Sequence, residues 1–315
     1  MIHHHRGHNH SHTAGLSGDR RVMWAVVVNV ALTLVQIAGG VLAGSLALIA
    51  DAIHNLSDAV ALGIAFLARK IARRPADSRM TFGYTRAEIV AALVNYTTLI
   101  VIAAYLSYEA IWRLFEPQIV AGWTVVVIAT FALAVDVVTA LLTWRLAKYS
   151  VNIRAAFLHN LADALGSVGV IIAGALIILF DWNVVDALIT LGISGYILWH
   201  VSREIGGVIR ILMLGAPSDI AVDDVIAALL GVPGIVGVHH LHLWQLDERE
   251  CSVEAHIVVA AQTGNSPENI KTQAKALVSR LFLISHSTFE LETEGLECVD
   301  PATIGHGPRH GRSRD

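Results

Sequence analysis

Ile53-His54-Asn55-Leu56-Ser57-Asp58 and, far downstream, Leu158-His159-Asn160-Leu161-Ala162-Asp163 carry the same His-x-x-x-Asp pattern inside long apolar runs. Runs of that length and apolarity read as membrane-spanning helices. On a helix, residues four apart share a face, so each run presents an imidazole beside a carboxylate. His54, Asp58, His159 and Asp163 together offer two nitrogens and two oxygens, a ligand set for a tetrahedral divalent metal. Ionisable groups at membrane depth are costly and mark ion pathways. A lone histidine in a helix is more often a packing residue. The repeated pairing argues against that reading here.

Working outward, the chain of 315 residues is 55% hydrophobic and only 15% charged, with a mean hydropathy of +0.59. That is too apolar for a soluble protein of this size and fits a polytopic membrane protein lodged in the lipid bilayer. Apolar runs of spanning length fall at roughly 22–44, 47–70, 87–112, 122–145, 154–180 and 184–206, which predicts six transmembrane helices. Arg69, Lys70, Arg73, Arg74, Arg79 and Arg86 lie between the second and third runs, and Arg145, Lys148 and Arg154 between the fourth and fifth. Arg20 and Arg21 precede the first run, and Arg203 and Arg210 follow the last. The opposite loops carry Glu116, Asp181 and Asp186 instead. The positive-inside rule therefore puts both termini in the cytoplasm.

Residues 1–21 hold His3, His4, His5, His8, His10 and His12 in a polar context, a composition that predicts a disordered tail. It reads either as a metal-collecting arm or as an inert extension. No cleavable signal peptide is expected, because the first apolar run starts only near Val22. Cys251 and Cys298 do not make a disulfide framework.

Past the membrane domain (22–213) the character changes. Val222 to Leu230 has helical spacing, Val236 to Leu246 and Ser252 to Ala261 read as strands, Pro267 to Phe282 as an amphipathic helix, and Thr288 to Glu292 as a third strand. The order αββαβ predicts a small α+β domain over 214–299, followed by a disordered tail at 300–315. His239 and His256 would face each other across an antiparallel ladder, and Glu290 with Glu292 would share one face of the third strand. His240 and His242 are expected to be ordinary exposed strand positions. Nothing suggests a phosphate-cradling loop or nucleic-acid binding.

Several of these stretches resemble the cation diffusion facilitator family, in its bacterial zinc and cadmium efflux branch. Gly44 through Asp58 is similar to the signature of its second helix, Arg74-Pro75-Ala76-Asp77 to Thr81-Phe82-Gly83-Tyr84 to its first cytoplasmic loop, and Asn152 through Asp163 with Gly166-Ser167-Val168-Gly169 to its fifth helix. Pro233 through Trp244 resembles the first strand of its cytoplasmic domain. The resemblance implies a homodimer of six-helix protomers in a bacterial inner membrane, exchanging Zn2+ for protons by alternating access, with a ferredoxin-like, metallochaperone-like cytoplasmic domain. It also implies a second, regulatory metal position at His239, His256, Glu290 and Glu292; Cys298 is a candidate to join it, whereas Cys251 is expected to be structural. In the loop, Asp77 matches a family metal ligand, but Met80 and Tyr84 stand where histidines would be, so a loop metal site is not expected. Arg86 matches a basic residue of a dimer interlock whose acidic partner is replaced by Leu214.

Two ionised aspartates and one divalent cation sum to zero, so a loaded site can sit in low dielectric. Without metal, like charge and desolvation favour proton uptake by the same groups. Competition between metal and protons is the physical basis of antiport. Two imidazoles with two carboxylates suit zinc, and cadmium on the same ligands, over Mg2+. A passive divalent-cation channel would instead carry weak, multiple sites along a wet pore, and a membrane-anchored sensor would not need six helices. An intramembrane zinc hydrolase would keep an open coordination position and a general base, and no His-Glu-x-x-His is present. Asp51 is expected to cap backbone or add a ligand, Asp136 to relay protons or hydrogen-bond a neighbour, and Glu88 and Glu109 to lie at the interfaces.

Overall fold

The computed structural model describes residues 30–147, 151–262, 264–298 and 302–305, without the side chains of Leu62 and of residues 142–147 and 151–160. The His-rich segment and the chain beyond Gly305 lie outside the described residues. The elements are α1 (Val30–Ala43), α2 (Leu46–Ala72), α3 (Ala87–Phe115), α4 (Gly122–Ala147), α5 (Val151–Phe180), α6 (Val184–Leu212), α7 (Val222–Leu230), β1 (Ile235–Gln245), β2 (Cys251–Val259), α8 (Pro267–Phe282) and β3 (His286–Thr293). Among the described residues, five helices, α2 to α6, are long and apolar enough to cross a membrane, and α1 is a shorter apolar helix. α3 continues through Phe115 and α6 through Leu212, past the ends read from hydropathy. Hydropathy marks membrane depth, whereas backbone hydrogen bonding carries a helix on into its polar turns.

The chain divides into two compact units, Met1–Ile64 with Val94–Ser202, and Ala65–Leu93 with Arg203–Asp315. In the first unit, α1 turns into α2 at Gly44, whose φ of +69° and whose missing Cβ (it would lie 2.9 Å from the Ile119 carbonyl) both require glycine. α4 and α5 pack closely where Gly174 sits against Val126; a Cβ there would come within 2.7 Å of Val126 Cγ2. Ala43, Ala47, Leu48, Val125, Ala129, Val170 and Ile177 form the apolar cluster around these contacts.

The start of α2 is capped from another helix. Asp186, buried in the first turn of α6, accepts from the Leu46 backbone N–H at 2.7 Å and from the Ser45 hydroxyl. A carboxylate on otherwise orphaned N–H groups is charge-assisted and aligned with the helix dipole. Arg113 of α3 donates to the Gly44 carbonyl and pairs with Glu109 one turn away. Those two contacts fix where α2 begins, and so where His54 and Asp58 fall along it.

In the second unit, β1 pairs antiparallel with β2, and β2 pairs parallel with β3. α7 and α8 cover one face: Val225, Leu229, Ile270, Ala274 and Val278 pack with Leu241, Leu243, Val253, Ala255, Ile257 and Phe289. This is the αββαβ domain anticipated from the sequence. The β1 ladder slips between His239 and His242, and His240 sits there at φ 50°. Ala302–Gly305, expected to be disordered, instead runs along β1: His240 N–H donates to the Ala302 carbonyl at 2.8 Å and Gly305 N–H to the Leu241 carbonyl. The bulge leaves backbone groups of β1 unpaired by β2, and the returning chain takes them up.

Candidate metal centres

The membrane unit brings three of the four predicted donors together. One ligand atom each from His54, Asp58 and Asp163 lie within 4.8 Å of one another. His54 Nε2 is 3.4 Å from Asp163 Oδ1 and 4.0 Å from Asp58 Oδ2. A tetrahedral ion bound at about 2.0–2.1 Å to each donor would hold an N···O edge of about 3.3–3.4 Å. The His54–Asp163 pair is already at that spacing, and Asp58 stands slightly wide of it. Burial is graded across the cluster, with Asp163 at 8% side-chain exposure, His54 at 16% and Asp58 at 36%. Among the described donors, Asp58 is the most open to an arriving ion. His159 lies on α5 four residues before Asp163, the helical spacing that shares a face, and its side chain is outside those described. Tyr196 of α6 meets the His54 ring edge-on, with centroids 6.5 Å apart, a neighbour that no sequence pattern announces.

Asp51 is neither a backbone cap nor a member of this donor cluster. It is buried, accepts from the Gln36 side-chain amide of α1 at 3.0 Å, and lies 3.3 Å from the Ser167 hydroxyl of α5. The same hydroxyl is 3.3 Å from Asp136 Oδ2 of α4. Of the two roles set out for Asp136, hydrogen bonding to a neighbour is the one seen.

The cytoplasmic unit gathers the other predicted residues. His239 and His256 are ladder partners with ring centroids 5.2 Å apart. Glu292 spans them, with Oε2 at 3.1 Å from His239 Nε2 and Oε1 at 2.7 Å from His256 Nδ1. Glu290 approaches the other His256 nitrogen at 3.3 Å but is largely exposed. Both ring nitrogens of His256 therefore face carboxylates.

Sequence pattern misplaced one donor, His240, and the candidate Cys298 does join the cluster. His240, read as an exposed strand position, turns inward at the bulge, and its ring lies 5.0 Å from that of His239 and 4.9 Å from that of His256. Cys298 places Sγ 3.2 Å from Glu292 Oε1 and 3.6 Å from His256 Nδ1. His239, His240, His256 and Cys298 have one donor atom each within 4.8 Å of one another. Strand alternation cannot reveal His240, because it is the bulge that puts consecutive histidines on one side. Burial opposes ionisation of Glu292, yet hydrogen bonds from Cys298 and His256, with the nearby His239, hold its carboxyl below the usual range. The Glu292 hydrogen bond, aided by burial, pushes the Cys298 thiol up.

In the α2–α3 loop, Asp77 accepts from the backbone N–H of Arg79 and Met80 and from the Tyr84 hydroxyl. The Met80 N–H first, then Tyr84 and Arg79, hold the Asp77 carboxyl low. It organises its own turn, with Tyr84 filling the place of a second donor residue. Arg86 donates to the backbone carbonyls of Gln245 and Leu246. Glu88 faces Arg69 at 3.9 Å.

Residues 22–213 match the family model of the cation efflux transmembrane domain, and residues 217–294 that of the cation efflux protein cytoplasmic domain. A protein named zinc transporter ZitB from Pectobacterium atrosepticum is 34% identical over 309 residues, covering 96% of this chain and 93% of its own. The metal cation efflux system protein CzcD of Cupriavidus metallidurans is 36% identical over 298 residues, covering 94% and 93%. A Bacillus subtilis protein named cadmium, cobalt and zinc/H(+)-K(+) antiporter is 35% identical over 294 residues, covering 91% and 92%. A solved structure, the metal-bound C-terminal domain of the CzcD transporter from Cuprividus metallidurans, is 28% identical, covers 23% of this chain and 99% of its own, and has a TM-score of 0.21.

Proposed function

The chain belongs to the cation efflux family, a family of membrane transporters rather than enzymes, and from that premise we propose that it exports Zn2+, and Cd2+ on the same ligands, in exchange for protons. The observation that carries this reading is the convergence of His54, Asp58 and Asp163 from two helices at membrane depth. His159 completes the ligand set by its helical position. Donors poised at a tetrahedral edge favour d10 ions over Mg2+, and two carboxylates neutralise one dication in a low-dielectric site. Both carboxylates and both imidazoles take up protons when the ion leaves, so transport runs as antiport by alternating access.

The working unit is a homodimer in the inner membrane of a bacterium, with both termini cytoplasmic, as the basic loops direct. The cytoplasmic cluster is a second, regulatory metal site, formed by His239, His256, Glu290 and Glu292 and extended by His240 and Cys298. It carries more donors than one tetrahedral ion uses. The test is zinc flux into everted vesicles with an imposed pH gradient. Flux that follows the gradient and vanishes in Asp163→Ala supports antiport. Flux indifferent to the gradient would favour a channel.

A further inference from the structure

The chain end Ala302–Gly305 meets β1 where its ladder to β2 slips. His239 pairs with His256 and His242 with Glu254, so His240 and Leu241 together oppose a single residue of β2. Such an extra residue goes unpaired by the neighbouring strand. Leu241 and Leu243 are buried in the core of the unit, while His239 faces His256. Strict alternation from His239 would send His240 to the opposite side of the sheet. The slip keeps it beside His239 instead, with its backbone at φ 50°. A left-handed backbone costs free energy for any residue with a Cβ, so this placement has to be held by contacts.

Two contacts on His240 come from the segment after β3. Its N–H donates to the Ala302 carbonyl at 2.8 Å, and next to it the Leu241 N–H donates to the Thr303 carbonyl at 3.1 Å. Gly305 N–H returns a bond to the Leu241 carbonyl at 3.1 Å. The His240 ring, for its part, shares the donor cluster with Cys298, which precedes this strap by three intervening residues. Cys298 Sγ stands 3.6 Å from His256 Nδ1. A tetrahedral zinc bound at about 2.0–2.1 Å to nitrogen and about 2.3 Å to sulfur would hold that edge at about 3.5–3.6 Å. The root of the strap thus carries its thiol at coordination spacing. The strap itself is lightly held. Ile304 is 58% exposed, and three main-chain hydrogen bonds must offset the ordering of four residues. Docking alone therefore lies near balance, where one further tether decides it.

We propose that the Ala302–Gly305 strap positions the donors of the cytoplasmic cluster, and that strap docking and metal binding there are one coupled equilibrium. The strap carbonyls hold His240 where its ring joins those of His239 and His256. An ion that joins the His240 ring to Cys298 Sγ holds the root of the strap against β1. Both contacts bring the same two pieces of chain together, so each raises the effective concentration for the other. The coupling is reciprocal: docking strengthens ion binding by the factor by which the ion strengthens docking. The strap supplies no ligand atom and acts by positioning alone. The inference deepens the reading of this cluster as a regulatory metal site and rests on it.

The test is a Co2+ titration of the purified full chain in a Cys251→Ser background, reading thiolate-to-cobalt absorption. That band reports ions at Cys298 only, because the His-rich segment and the membrane donors carry no thiol. Gly305→Pro removes the Gly305 donor and cannot adopt its φ of +62°. This variant, and separately a chain ending at Pro301, should each bind cobalt about tenfold more weakly with the band intact. Two ways of undocking guard against one variant failing to fold. The reciprocal arm is hydrogen exchange by mass spectrometry: saturating cobalt should slow exchange at the Gly305 amide by up to the same factor, and should not do so in Cys298→Ser. A loss under about threefold in both undocked chains, or no slowing at Gly305, overturns the proposal. So does cobalt bound without a thiolate band, which would leave an imidazole–carboxylate site that the strap does not reach. If wild type and a chain with both His239→Ala and His256→Ala bind the same number of cobalt ions, the metal reading itself fails, and that failure is distinguishable from the others.

Discussion

Replacing Asp163 by Asn isolates charge from shape at the membrane centre. The side chain is 8% exposed and Oδ1 stands 3.4 Å from His54 Nε2, so the isosteric amide keeps volume and packing. What disappears is one of the two negative charges that neutralise a dication, together with the better donor. Losing a residue that merely orients a metal ligand costs roughly 10- to 100-fold in affinity. Losing a ligand should cost more, so the weakening should exceed about 100-fold, or about 2.7 kcal/mol. Zinc binding to the purified chain by calorimetry, with the cytoplasmic sites already saturated, measures it directly. The spacing also predicts an order. Asn at position 58 should be the milder change, because Asp58 is more exposed and sits 4.0 Å from His54, where water can take over its coordination. A tenfold or smaller loss for Asp163→Asn, or a larger loss at Asp58 than at Asp163, would refute the tetrahedral assembly.

Three further outcomes follow from other parts of the molecule. Asp186→Asn puts an amide donor against the Leu46 N–H or the Ser45 hydroxyl, and should destabilise the membrane unit by about 2–4 kcal/mol, read as a lower melting temperature in detergent. Leu283 ends α8 in the left-handed region at φ 56° and is exposed, so Leu283→Gly should relieve up to about 1 kcal/mol and slow amide exchange in β2 by up to about fivefold. With its thiol held above the ordinary value of 9.0, Cys298 favours the neutral form in the folded chain. The stability from that shift is present below the unfolded pKa and is lost as pH rises through the folded one. In a Cys251→Ser background, alkylation of Cys298 at pH 8 should therefore be slower than that of a free thiol. It should speed up in Glu292→Gln and be blocked by zinc.

Periodicity made some of this legible and hid the rest. His54 and Asp58 could be placed on one face because four residues on a continuous helix fix the angle, whatever surrounds them. The sheet partners His239 and His256 followed from alternation across a turn whose polar residues are plain. His240 could not be placed, because an extra residue in a ladder inverts every expectation built on alternation, and the stretch Val238 to Leu241 carries no glycine or proline to announce a bulge. Asp186 read as a loop acid because its partners, the N–H groups of Leu46 and Ala47, are distant in sequence and belong to the backbone. The return of Ala302–Gly305 along β1 was equally hidden, since its hydrogen bonds are main-chain and depend on the bulge.

α2 shows why stability and transport are hard to separate in this chain. Its polar residues form a ladder of layers along one helix: the Ser45 turn against Asp186, then Asp51 with Gln36, Ser167 and Asp136, then His54 and Asp58 with Asp163. A lone helix with so many acids would not rest in hydrocarbon. Each layer is made tolerable by groups from neighbouring helices: α6 for the first, α1, α4 and α5 for the second, and α5 again for the third. The helix is therefore assembled through the same contacts that set its height and rotation, and its metal donors inherit their positions from layers that never touch the ion. A change at Asp186 or Ser45 should move His54 relative to Asp163 along the helix axis. A shift of well under one turn is enough to spoil a 3.4 Å donor spacing. The capping layer is thus part of the metal site's geometry, although none of its atoms can bind metal there.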